Sequence, residues 1–451
     1  MTRSPTESTP EPDVLDDHRS GSGVPAERFL RREIGRAGDV DAGSTLVILG
    51  GVHGNEPAGL IAGKRVLDRL AGDEPSNHTP HLNGQLIVLA GNLTALNDDD
   101  PNTRYIDHDL NRLCTSQGFE SEASSSVEHS EMHELFQLLE STLEESRSRN
   151  HSMIVLDLHT TSAPSRPVVV FEDSLAARAH AMRMPCPKYL GIEEELYGLV
   201  IDAVTNRLGC VSYLIEGGQH EDPVSVDVHE AAIWIALDSA GILSLDQLDH
   251  DPLGVVGRAS LNRSGVVYDV RHREPIRSLS FEICNGIENG TEAFPGKTVL
   301  AIQDDAPVYS PIYGLVFLPN MQTHKRVNDD GFFIVRRVSA GWVNLSARLR
   351  TKEWIHQLIG IMPGVYRGQD ATLLVDGDLA CVLRRQVFHL LGYRLIRHDG
   401  RKGATGVRRA FHVIKAFMAA FVRGPIRGED GKGPDAADPR FWIVQRRRLD
   451  R

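Results

Sequence analysis

Three stretches of the chain place metal-binding and acid–base side chains at spacings that permit chemistry. In VILGGVHGNEPAG (47–59), His53 and Glu56 stand three residues apart in a turn that follows an apolar run. His159 closes IVLDLH (154–159) and Glu216 closes SYLIE (212–216), both also at the ends of apolar runs. A neutral imidazole and a carboxylate suit Zn²⁺, and His159 supplies a third ligand by position. Two histidines and one glutamate with a fourth place open is the arrangement of a catalytic zinc site rather than a structural one. Asp157 lies two residues before His159, hence on the same side of a strand, where a carboxylate orients a ligand imidazole through its other ring N–H. A solvated or merely hydrogen-bonded Asp157 is the plain alternative. The glycines of the first stretch do not form a phosphate loop, because neither GxGxxG nor GxxxxGK[ST] occurs there.

These side chains need rigid elements to bring them together. TLVILGG (45–51), GQLIVLAGN (84–92), MIVLDLHTT (153–161) and VSYLIEGG (211–218) read as buried strands by length and β-branched content. PAGLIAGKRVLDRLAG (57–72) has helical periodicity with Pro57 where a first turn tolerates it, and 132–149 and 227–243 also read as helices. Continuous apolar strands alternating with helices predict an α/β sheet covered on both faces, in which ligands gather at the carboxyl ends of the strands. The segments 73–83 and 115–131 are polar and read as surface loops. After Gly241 short strands follow at close spacing: 265–271, 278–284, 296–303, 312–319 and 331–338. The expected organisation is an N-terminal tail over 1–25, an α/β domain over 26–243, a smaller β-rich domain over 244–380 and a basic, partly helical extension over 381–451.

The chain has 451 residues, enough for two or three domains, and 41% hydrophobic with 24% charged residues is ordinary for a globular protein. Its formal charge of −12 is uneven, with 17 Lys+Arg against 6 Asp+Glu from Cys381 onward. A basic segment of this kind contacts acidic partners or is simply a solvated surface; the second reading leaves no nucleic-acid or membrane partner to expect. RRAFHVIKAFMAAFVRG (408–424) reads as a helix within it. Five scattered cysteines without a CxxC spacing fit a reducing, cytoplasmic setting and no cysteine metal site. No apolar run reaches the ~18 residues of a membrane span. MTRSPTESTPEPDVLDDHRSGSG lacks the apolar core of a secretory signal and has the composition of a disordered tail.

GGVHGNE, TRYIDHDLNR (103–112), DLHTTSA and LIEGG, in this order, resemble the succinylglutamate desuccinylase/aspartoacylase family, a zinc-dependent branch of the metallocarboxypeptidase fold. The resemblance covers roughly residues 43 to 240, and TRYIDHDLNR is its most specific piece. It implies a zinc-carboxypeptidase-like mixed sheet and one Zn²⁺ per chain, held by His53, Glu56 and His159. It also implies Glu216 as the general base acting on a zinc-activated water, and Arg104 polarising the scissile carbonyl. Asn111 and Arg112 would hold the carboxylate of a small N-acyl amino acid. A surface ion pair of Arg104 or Arg112 with a nearby aspartate is the alternative. The family often adds a tyrosine from its C-terminal β domain, for which Tyr309 and Tyr313 are the candidates, and Arg207 is placed to meet a dicarboxylic acyl group. His108 reads as structural. The expected activity is hydrolysis of a non-peptide amide; a peptide-cleaving carboxypeptidase and a metal-free binding protein stay open as alternatives, as does a homo-oligomer.

Overall fold

A computed structural model describes residues 28–72, 80–322, 325–359, 364–367, 372–376, 384–395 and 441–446. The expected N-terminal tail, most of the 73–83 loop and the helix over 408–424 lie outside the described residues.

The strands are β1 (Glu33–Gly38), β2 (Thr45–Gly50), β3 (Gln85–Ala90), β4 (Met153–Thr161), β5 (Val168–Phe171), β6 (Lys188–Leu190), β7 (Val211–Gln219) and β8 (Val267–Pro275). They continue with β9 (Glu282–Ile283), β10 (Glu292–Ala293), β11 (Val299–Gln303), β12 (Ala306–Tyr309), β13 (Gly314–Phe317) and β14 (Asp330–Val338). Last come β15 (Val365–Arg367), β16 (Thr372–Asp376), β17 (Tyr393–Leu395) and β18 (Phe441–Arg446). Eleven of them form one mixed sheet in the order β1-β3-β2-β4-β7-β5-β6-β8-β14-β13-β10. Its centre, β3-β2-β4-β7, is parallel, as the fully apolar strand sequences require of a sheet buried on both sides.

The alternation of strand side chains divides the core in two. Leu46 and Ile48 of β2 face the helices Ala58–Ala71 and Val224–Ser239, with Trp234 fully buried there. Val47 and Leu49 of the same strand face Met132, Leu135, Phe136 and Leu139 of the helix Val127–Ser148. The first helix ends at Gly72, whose φ of 79° is the left-handed C-terminal conformation that glycine adopts without cost.

The sheet runs on past residue 243 without a break, since β8 pairs with β6 and β14 with β8. A three-stranded sheet, β12-β11-β9, packs on this extension, and a four-stranded sheet, β15-β16-β18-β17, is built from the C-terminal residues.

Several sequence expectations need correction. Residues 127–131 are helix, not loop: Ser126 caps the helix by accepting from the His129 N–H, and Glu128 and Glu131 turn inward. SLSFEIC (278–284) contributes only β9, because Ser278 and Ser280 bond each other and Asp304 locally instead of joining a ladder. Three helices, Pro252–Ala259, Ala340–Arg350 and Glu353–Ile359, interrupt the expected β-rich span, the first capped by Asp251 and the second by Ser339. In the basic extension, Arg384–Leu390 is helical as expected but leads into β17.

Candidate metal centre and active site

The turn after β2 sets the first two ligands. Gly51 takes φ +64°, a conformation costly for any residue with a Cβ, which lets the chain leave the strand and turn His53 and Glu56 back over the sheet's carboxyl end. His159 arrives from β4 and Glu216 from β7, directly opposite each other in the parallel register. Ligand atoms of His53, Glu56 and His159 all lie within 4.8 Å of one another, and all three residues are buried.

Glu56 sits between the two imidazoles. Its Oε1 is 2.8 Å from His53 Nδ1 and its Oε2 is 3.1 Å from His159 Nδ1, while the Thr160 N–H donates to Oε2 at 3.0 Å. Burial alone would raise the Glu56 carboxyl, but the charges and hydrogen bonds of His53 and His159 outweigh it and hold the group well below its ordinary range. The His159 ring is pushed the other way: burial opposes its charge, yet Asp157 at 2.9 Å and Glu56 raise it well above an ordinary histidine. Two imidazoles and a carboxylate, converging in a buried spot and each oriented by a further polar group, are a donor set that fits Zn²⁺. The Asp157–His159 contact expected from the two-residue spacing is present.

His229, which sequence reasoning missed, steadies His159 from behind by donating from Nε2 to the His159 carbonyl at 2.9 Å. Burial drives this ring down to about 4, so it is a neutral imidazole at physiological pH. The contact needs Gly217, because a Cβ there would lie 2.4 Å from His229 Nε2.

Arg104, partly buried, donates toward His53 Nε2 at 2.8 Å and to Glu56 Oε1 at 3.2 Å, and approaches Asp109 Oδ2 at 3.4 Å. Asp109 also approaches His53 Nε2 at 3.2 Å. Glu128 arranges the loop that carries these groups. Its two carboxylate oxygens accept the backbone N–H groups of Ile106, Asp107 and His108, three donors that have no ladder of their own. Asn111 is held by the Val200 N–H donating to its Oδ1 at 2.8 Å. Arg112 is ion-paired with Asp330 of β14, which also pairs with Arg273.

His53, Glu56, Arg104, Asp109, Asn111, Arg112, His159 and Asp330 line one cavity of about 140 Å³, together with Glu216. One Glu216 oxygen, Oε2, is buried and finds no hydrogen-bond partner among the described residues. Burial pushes its carboxyl up to about 8; the charges of Glu56 and Asp157 add to this, while His159 and Arg104 oppose it.

The structure thus brings His53, Glu56, His159, Asp157, Glu216, Arg104, Asn111 and Arg112 together. Tyr309, Tyr313 and Arg207 are not among the cavity's residues. Tyr313 donates to Glu292 at the surface, and Arg207 pairs with Glu140 over the Phe119 ring, so neither is free to turn toward the cavity without breaking these contacts. What closes the cavity from the later part of the chain is instead the connection from β13 to β14, through Leu318, Asn320, Asn328, Asp329 and Asp330. Tyr105 ties it to the arginine loop by donating to Asp329 at 3.1 Å. His220 also lines the cavity, held by Thr160 Oγ1 at 2.8 Å from Nδ1. Only the placement of His220 four residues past Glu216 hinted at this in the sequence.

Residues 42–198 match the family model of the succinylglutamate desuccinylase/aspartoacylase catalytic domain. The match includes His53, Glu56, Arg104, Asn111, Arg112 and His159 and ends before Glu216. Among solved structures, the chain is similar to succinylglutamate desuccinylase/aspartoacylase from Rhodobacter sphaeroides, at 20% identity over 66% of this chain and 86% of that one, with a TM-score of 0.47. Succinylglutamate desuccinylase from Vibrio cholerae is similar at 18% identity over 66% and 82%, TM-score 0.46. Murine aminoacylase 3 is similar at 18% identity over 65% and 95%, TM-score 0.43. No curated protein matches the chain. Among the described residues, no helix is long and apolar enough to cross a membrane.

Proposed function

We propose that the protein is a zinc-dependent amidohydrolase that cleaves the amide of an N-acyl amino acid, with His53, Glu56 and His159 holding the metal. The observation that carries this reading is the buried convergence of those three side chains, with ligand atoms within 4.8 Å, beside Glu216 and Arg104, with all but Glu216 inside a segment that matches the desuccinylase/aspartoacylase catalytic domain. When bound, zinc supplies a Lewis acid that brings the pKa of water to about 7.

The chain's own groups account for the rest. Glu216, which lines the cavity, accepts the proton of the attacking water and returns it to the leaving nitrogen. Arg104 stays charged over the whole working range of pH and offers its planar fork to the developing oxyanion. Asn111 and Arg112, at the foot of the same loop, bind and orient the amino acid's carboxylate. Asp157 fixes the tautomer and tilt of His159 through the 2.9 Å contact. The enclosure by the β13–β14 connection favours a small substrate over a peptide.

The test is a hydrolysis screen over acetyl- and succinyl-amino acids alongside metal analysis. The reading expects about one zinc per chain and turnover that a chelator stops and zinc restores. Turnover indifferent to the chelator, or a preference for longer peptides, would contradict it.

A further inference from the structure

One wall of the cavity is hydrocarbon, and its position relative to the catalytic groups says which part of the substrate meets it. Leu214 stands two residues before Glu216 on β7, hence on the same face of the sheet, and Val170 of β5 lies directly across from Leu214. Ile192, Leu196 and Leu199 extend the wall, and Phe333 of β14 closes it. All six are buried members of one apolar cluster. At its far end Leu199 immediately precedes Val200, whose N–H holds Asn111. The wall therefore spans from the group that protonates the leaving nitrogen to the group that binds the α-carboxylate. The substituent on the carbon between that nitrogen and that carboxylate is the amino acid's side chain.

Charge points the same way. The arginines and lysines lining the cavity are, among the described residues, Arg104 and Arg112. Arg104 is engaged with His53, Glu56 and Asp109, and Arg112 with Asp330 and the Asn111 carbonyl. Asp109, Asp329 and Asp330 line the same space. A second carboxylate lying along the apolar wall would meet hydrocarbon, with the like charges of these aspartates in the same cavity.

Resting on the amide-hydrolase reading above, we propose that the amino-acid half of the substrate carries a bulky apolar side chain, as in leucine or phenylalanine, and not a second carboxylate. This goes beyond the family match, whose own name refers to glutamate and aspartate derivatives.

The experiment uses the full-length, zinc-loaded protein with N-acetylleucine, N-acetylaspartate, N-succinylleucine and N-succinylglutamate. Calorimetric binding of free leucine and free aspartate to the Glu216→Gln protein gives a readout independent of turnover. Within each acyl class the leucine derivative should have a kcat/KM at least about tenfold higher, the scale on which a pocket discriminates by side-chain fit. Leucine should also bind more tightly than aspartate. Preference for the acidic derivatives, in turnover or in binding, overturns the inference while leaving amide hydrolysis intact. Tighter binding of leucine with no hydrolysis of any amide supports the apolar pocket and overturns the hydrolase reading instead. Failure of both amino acids to bind overturns the inference.

Discussion

At the residue scale, the site's groups differ in how directly they would be felt. Asp157 touches His159 and not the metal position, so Asp157→Asn should keep the fold and weaken zinc affinity about 10–100-fold, the range seen when a ligand's orienting partner is lost. Competition against a chromogenic chelator would measure it; unchanged affinity would reduce Asp157 to a packing role. Gly217→Ala forces a Cβ against the His229 ring and should disturb His159 through the carbonyl that His229 holds. Zinc affinity and thermal stability should fall together in that variant. The convergence of His53, Glu56 and His159 was legible in the sequence because each stands at or just after the end of an apolar run, and topology then does the rest. Asp329 and Asp330 were not, because Asp330 joins the site through an ion pair with Arg112 and Asp329 through the Tyr105 hydroxyl, in both cases a partner over two hundred residues away.

At the scale of elements, the loop carrying Arg104, Asn111 and Arg112 depends on one buried carboxylate. Glu128 accepts three consecutive backbone N–H groups and the Asn92 amide, so Glu128→Ala strips partners from donors that stay enclosed. Each buried donor left unpaired costs about 1–3 kcal/mol, so denaturant unfolding should show a loss of several kcal/mol, with kcat falling more than KM rises. A loss below about 1 kcal/mol would mean water replaces the carboxylate. Sequence periodicity placed the central strands β2, β3, β4 and β7 but missed β1, β5 and β6, and it left out the first turn of this helix: VEHSE (127–131) is polar, and polarity is an unreliable sign of exposure when the polar groups serve a neighbouring loop. The same bias hid the helices Ala340–Arg350 and Glu353–Ile359, whose exposed Trp342, Trp354 and Leu358 blur the apolar stripe.

At the scale of the molecule, the C-terminal residues are tied to the sheet by buried charge. Asp173, just after β5, meets Arg178, Arg350 and Arg394, and Arg394 also reaches Asp269 of β8. Glu194, whose neighbour Ile192 lines the cavity, is 2.7 Å from His389. Burial works to raise the Asp173 carboxyl, but the three guanidinium groups overcome it and hold it well below the usual range. A depressed folded-state pKa means that its contribution is complete above the unfolded value, about 3.9, and is lost as the pH falls below that. Denaturant melts between pH 5 and pH 2 should therefore show an acid loss beginning near pH 4 that Asp173→Ala reduces. At pH 7 that variant should be less stable by about 3–5 kcal/mol, as when one member of a buried ion cluster is deleted. A pH profile unchanged by the substitution would show that other carboxylates control the acid limb. None of this was visible in a sequence that reads as a basic extension, because its net charge does not reveal which arginines are buried.

The central claim, a zinc centre formed by His53, Glu56 and His159 with Glu216 as the base, is tested most directly by measuring bound zinc and turnover together in Glu216→Gln. The account expects wild-type zinc content with kcat reduced at least about 10²–10⁴-fold on whichever N-acyl amino acid the native protein hydrolyses best. Full turnover in that variant, or loss of zinc with the glutamate, would contradict it.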